Sequence, residues 1–217
     1  LNYVIADQTF ILNETKYLVL SYGPPLEDSL VDTSERFLIK TTDYWRKWIK
    51  NASVVNFYQR AAIRSSLILK IHQYEDTGAI IAATTTSLPE SPGSGRNWDY
   101  RYCWMRDTYY TLNAFNNIGH FEELEQYFHY ITNIISVEED RFQPLYNISG
   151  KKKLTEIEMD LEGYQGNKPV RVGNQAYTHI QNDVYGQVLI SLLPLYSDKR
   201  IIFTDRYDST ALIFKAL

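Results

Sequence analysis

A chain of 217 residues with 44% hydrophobic content can bury the core of one good-sized domain or parts of two. It contains no long charge-free apolar run of the kind that spans a membrane. The net charge of −4 gives no overall basic surface for a nucleic-acid backbone. Cys103 is the single cysteine, which excludes an intramolecular disulfide and a cysteine metal cluster. His72, His120, His129 and His179 show no paired metal-ligand spacing. Leu1 is followed by no charged-then-apolar leader, so the expectation is a cytoplasmic location. The sequons at Asn13, Asn51 and Asn147 do not by themselves argue for secretion.

Residues 1–39 read as strands. Residues 9–12 and 17–22 are β-branched and aromatic, and they are separated by Asn13-Glu14-Thr15 and closed by Gly23-Pro24-Pro25. After an acidic loop over 28–35, Trp45, Trp48 and Ile49 fall at helical spacing and predict a short linker helix over 41–50. The next pattern predicts a helix over 54–74. Its broad apolar face carries Val55, Tyr58, Ala62, Leu67, Ile68, Leu69 and Ile71, with Gln59, Arg60, Arg64 and Lys70 toward water and Gly78 beyond its end.

A central stretch follows, from Gly95 to Asp107. Trp98, Tyr100, Tyr102 and Trp104 occupy every second position, so an extended backbone turns all four rings to one side and Asp99, Arg101 and Cys103 to the other. Asp99 on that far side pairs with Arg101. From Thr108 a helix can run on to close at Gly119. A guanidinium, a carboxylate and ring faces delivered together at a helix start suit a hydroxyl-rich ring. Charged forks grip neighbouring hydroxyls, and aromatic faces cover the C–H side of a sugar. Simpler readings exist for each part: Asp107 as a helix N-cap, and the alternating rings as the buried face of a strand.

Residues 121–137 form an amphipathic helix with Leu124, Phe128, Ile131, Ile134 and Ile135 on its apolar face. Glu122, Glu123 and Glu125 fit a solvated first turn, where the helix dipole favours negative charge. Residues 141–172 are irregular, with Pro144, Gly150, Gly163, Gly166 and Pro169, and a loop of that length inside a domain suggests function. Residues 175–196 predict a helix that Pro194 ends or kinks, and 205–217 begin another.

Together with Thr84-Thr85-Thr86-Ser87-Leu88-Pro89-Glu90, the central stretch resembles the entry to the catalytic barrel of the glucoamylase-like inverting glycoside hydrolases. That family also includes glucodextranases and one class of trehalases. The resemblance resumes at Gln143-Pro144-Leu145-Tyr146, at 161–166, at 169–174 and at Asn182-Asp183-Val184-Tyr185-Gly186, with Asn147-Ile148-Ser149 departing at a turn.

It implies a mainly α fold: a partial (α/α)6 barrel, with about five of its twelve helices in this chain, preceded by the last strands of an N-terminal β-sandwich. The implied divisions are 1–39 for the end of the sandwich, 40–52 for a linker helix and 53–217 for the first part of the barrel. The implied activity needs no metal or organic cofactor. It is release of glucose from the nonreducing ends of maltooligosaccharide or starch, with trehalose hydrolysis as the alternative and a noncatalytic sugar-binding or structural piece as another. By the resemblance, Arg106 and Asp107 bind the outer hydroxyls of the terminal glucose, Trp104 shapes the pocket and Tyr100 lies near the attacking water. Arg171, Asn174 and Asp183 follow as candidates that could equally hold the loop's backbone. The family's acid and base glutamates fall beyond residue 217, which leaves Glu162 as the low-ranked catalytic candidate within the chain.

Overall fold

The computed structural model describes residues 8–20, 22–23, 28–138 and 141–200. It divides into two compact units, Leu1–Lys50 and Asn51–Leu217.

In the first unit, helix α1 spans Leu30–Lys50. The Ser29 hydroxyl accepts from the Asp32 N–H at 3.4 Å and covers an end group that the helix leaves open. Asp32 in the first turn and Lys47 and Lys50 in the last complement the dipole. The helix therefore takes up residues 30–40, where the sequence pattern predicts strand and acidic loop. Residues 9–12 and 17–20 form no ladder among the described residues. A strand depends on a hydrogen-bonding neighbour, and β-branched composition cannot supply one. Tyr17 instead donates from its hydroxyl to Glu35 on α1 at 3.1 Å.

The second unit holds α2 (Gln59–Ile71), α3 (Met105–Ile118), α4 (Phe121–Val137) and α5 (Asp183–Ser197). Two short antiparallel sheets join them. In one, β1 (Cys103–Trp104) pairs with β2 (Leu145–Tyr146), and in the other β3 (Ile157–Met159) pairs with β4 (Val170–Val172). The helix predicted over 205–217 lies outside the described residues.

Helix α2 is shorter than the apolar pattern predicts, because Tyr58 takes a left-handed backbone at φ +52° immediately before it. Val55, Tyr58, Ile68 and Ile71 are exposed, and Leu69 is half-buried. The side chains that α2 does bury are Ser66 and Lys70. Lys70 is thus turned inward, where its apolar stem packs and its ammonium meets Glu123 of α4 at 3.1 Å. Gln73 completes the junction by accepting from Lys70 at 3.0 Å and donating its amide to the Glu123 carbonyl at 3.0 Å. Glu123 is accordingly buried, unlike the solvated first turn that its position predicts. Gly78 sits at φ +81° so close to α4 that a Cβ would fall 2.1 Å from the Gln126 carbonyl oxygen, so the turn after α2 requires glycine.

Helix α4 has the predicted bounds and forms the centre of the core, with Leu124, Tyr127, Phe128, Ile131 and Ile135 almost fully buried. Helix α3 packs against both α4 and α5 and ends at Gly119 in the left-handed conformation, as its sequence predicts. The predicted helix over 175–196 is divided. A 3-10 turn covers Gln175–Thr178, and α5 begins only at Asp183. Pro194 neither ends nor delays α5, which runs on to Ser197. Lying in the last turn, Pro194 forfeits only its own donation to the carbonyl four residues back.

Candidate functional site

The central stretch is extended as its alternation predicts. Ala82 and Ala83 donate backbone N–H groups to the carbonyls of Tyr102 and Tyr100 at 3.0 and 2.9 Å, and Ser87 donates to that of Trp98 at 3.0 Å. These bonds fix which way the alternate side chains face. Trp98, Tyr100 and Trp104 line one wall of an open cavity of about 490 Å³, and Arg106 at the start of α3 extends that wall. Tyr102, whose ring the alternation predicts on the same side, does not line the cavity; it is half-buried beside the buried Trp104, Leu145 and Leu154 and interacts with Asp99. Glu156, Asn174, Gln175 and His179, from the later loops, complete the lining.

Trp104 is 6% exposed, and its indole N–H has no hydrogen-bond partner. Its ring lies 5.9 Å from that of Tyr100, and the Arg106 guanidinium carbon sits 5.6 Å from its centroid. Arg106 also donates to Asp107 at 3.4 Å. Helix α3 begins at Met105, so Asp107 belongs to its first turn and is not the N-cap; Trp104 holds that place. Burial raises the Tyr100 phenol above its ordinary pKa, and the Glu90 carboxylate adds to this. Near neutral pH the ring therefore presents a protonated hydroxyl.

Asp99 faces away from the cavity and is fully buried. It accepts from the Arg101 side chain through Nε and Nη2, each at 2.9 Å, and from the Gly173 N–H at 3.2 Å. The predicted pairing with Arg101 is present, and it also fastens the central stretch to the loop after β4.

Arg171 and Asn174 are engaged in holding structure. The Arg171 guanidinium carbon lies 4.6 Å from the Trp98 ring centroid, and Arg171 Nη1 donates to the carbonyls of Gly95 and Asn97 at 3.0 and 3.1 Å. Its Nε lies 3.0 Å from Glu156 Oε1, and its Nη2 donates to Glu158 at 3.2 Å. Asn174 borders the cavity, yet its amide donates to the Asp99 carbonyl at 2.9 Å and accepts from the Ala176 N–H at 3.1 Å. Asp183 is exposed in the first turn of α5, where it accepts from Gln187 at 2.8 Å, and it does not line the cavity. Glu162 is exposed and also lies outside the lining.

Sequence reasoning misses Glu156 as a member of the cavity. It follows Lys151-Lys152-Lys153 and is separated by 52 positions from Trp104, so no local pattern joins the two. The signal that existed was its place immediately before β3, two residues from Glu158, which the antiparallel register pairs with Arg171.

"Trehalase" of Thermoplasma acidophilum is 43% identical over 152 residues, covering 70% of this chain and 26% of that protein. "Trehalase" of Mycobacterium tuberculosis is 37% identical over 180 residues, covering 81% of this chain and 26% of that protein. "Trehalase 1" of Sulfolobus acidocaldarius is 33% identical over 207 residues, covering 89% and 35%. The chain thus spans about a quarter of the length of the first two of these relatives. No solved structure matches it significantly. The description "Glycosyl hydrolases family 15" matches residues 56–216, a stretch that includes every residue lining the cavity. The chain belongs to glycosyl hydrolases family 15.

Proposed function

We propose that this chain supplies part of the glucose-binding site of an inverting trehalase. The observation that carries the reading is the wall formed by Tyr100, Trp104 and Arg106, with Asp107, which does not itself line the cavity, hydrogen-bonded to Arg106 at the start of α3. Aromatic faces cover the apolar side of the ring, and Arg106 and Asp107 supply a donor and an acceptor for its outer hydroxyls. Trehalose replaces maltooligosaccharide and starch as the leading substrate, because the relatives reported above are named for trehalase.

Residues 53–217 are read as the first part of an (α/α)6 barrel, with the preceding residues as a separate N-terminal region. Inversion requires a protonated carboxylic acid at the leaving oxygen and a carboxylate that activates water on the opposite face, about 6.5–9.5 Å apart. In this reading both glutamates come from sequence beyond residue 217. Tyr100 orients the attacking water through its protonated hydroxyl, and the cavity walls hold the ring in register with it.

The test is proton NMR of the full-length protein with trehalose and, separately, with maltotriose. Inverting trehalose hydrolysis releases one β-glucose, where water attacks, and one α-glucose from the leaving side. Those anomers in equal initial amounts, with maltotriose untouched, are the expected result. Glucose from maltotriose and none from trehalose would overturn the trehalase reading in favour of the exo-acting α-glucosidase.

A further inference from the structure

We propose that Glu156 is a substrate-binding residue, whose carboxylate accepts hydrogen bonds from a pair of neighbouring hydroxyls on the glucose ring that lies against Trp98. The inference rests on the sugar-site reading above and adds a residue to it.

Three observations support the assignment. Glu156 lines the cavity together with Trp98, Trp104 and Arg106. Its position is fixed: Oε1 lies 3.0 Å from Arg171 Nε, and Oε2 accepts from the Gln175 N–H at 3.3 Å. Arg171 is itself locked by stacking on Trp98 and by its bonds to the carbonyls of Gly95 and Asn97. A carboxylate offers roughly four lone-pair sites, so two such contacts leave acceptor capacity on each oxygen.

The third observation is that Trp98, Tyr100 and Trp104 line the same cavity, so aromatic faces accompany the carboxylate. The cavity therefore offers unused acceptor capacity together with apolar ring faces. A sugar ring combines all the complements: hydroxyls that both donate and accept, and an apolar C–H face. Its neighbouring hydroxyls can donate to the two carboxylate oxygens together.

A purely structural role is the competing explanation, since Glu156 could serve only to hold Arg171. Steady-state hydrolysis of trehalose by the full-length protein separates the two when it is measured with thermal melting of the same samples. Glu156→Gln keeps the size and an acceptor but loses the charge and half the acceptor capacity. It is expected to raise KM about tenfold or more, the loss of one charge-assisted hydrogen bond, with kcat within about threefold and the Tm nearly unchanged. Glu156→Asp should fall between Gln and the wild type, because it restores the charge on a shorter arm.

A lowered Tm with a wild-type KM in Glu156→Gln would overturn the inference and leave Glu156 as a prop for Arg171. That result would not touch the trehalase reading, which the wild-type protein tests by itself. A wild-type protein that neither binds nor hydrolyses trehalose would overturn both.

Discussion

Lys70 and Glu123 form an ion pair inside the second unit, with Lys70 Nζ 3.1 Å from Glu123 Oε1 and side chains 5% and 3% exposed. Each charge balances the other where water cannot. Glu123→Ala would leave the buried ammonium with Gln73 and with the exposed Glu75 carboxylate at 3.7 Å, so the expected cost lies at the low end of about 3–5 kcal/mol. Replacing both residues together, Lys70→Met with Glu123→Leu, should cost much less, since no charge is then stranded. Urea denaturation of the three proteins measures the difference, and equal losses in the single and double variants would mean that the charges are not coupled.

The two helices that look most apolar in sequence should respond differently to truncation. Phe128 on α4 is fully buried, and Phe128→Ala is expected to destabilise by about 3–5 kcal/mol. Leu69 on α2 is only half-buried, and Leu69→Ala should fall below the usual range of about 2–5 kcal/mol for a core leucine. Thermal melting of both checks the ranking; a larger loss at Leu69 would show that α2 buries a face against more than the described residues.

Asp107→Asn removes the negative charge beside Arg106 but leaves α3 with a polar first turn. The expected effect is a fall of about 10–100-fold in kcat/KM for trehalose, the worth of a charge-assisted hydrogen bond, with little change in Tm. An unchanged kcat/KM would remove Asp107 from the sugar site.

Alkaline pH should unfold the second unit through its buried phenols. Tyr127, Tyr130 and Tyr146 all have their pKa raised above the ordinary 10.0, chiefly by burial, with neighbouring groups such as Cys103 and Glu138 adding. A raised folded-state pKa favours the proton-bound native state, so this contribution is intact below about pH 10 and is lost as pH rises above it. Tm is expected to fall steadily above pH 10, with part of the phenolate absorbance appearing only on unfolding. Complete ionisation of all 18 tyrosines while the fold remains intact would contradict the burial.

The features legible in the sequence are those set by local periodicity. Helix α4 carries its apolar residues at helical spacing over its full length, α3 ends at a glycine that can adopt positive φ, and the alternation from Trp98 to Trp104 sets which side chains share a face. The opposed placement of Asp99 and the aromatic rings follows from that alternation, and so does the pairing of Asp99 with Arg101. The proposed sugar wall is readable for the same reason, because Trp104, Arg106 and Asp107 are neighbours in the chain.

Tertiary structure decided whatever depends on partners distant in sequence. Glu123 has the sequence signature of a solvated first turn, but Lys70 reaches it from 53 positions away and makes its burial tolerable. Residues 9–12 and 17–20 have strand composition, but a ladder needs a neighbour that composition does not provide. Arg171 and Asn174 remain ambiguous in sequence, and it is the carbonyls of Gly95, Asn97 and Asp99 that commit their side chains to holding the loops. Glu156 meets Arg171 because the β3–β4 pairing sets Glu158 opposite Arg171 and leaves Glu156 two residues along the same chain. Periodicity records which face of an element a residue occupies, whereas the identity of what that face meets is fixed only when the chain closes on itself.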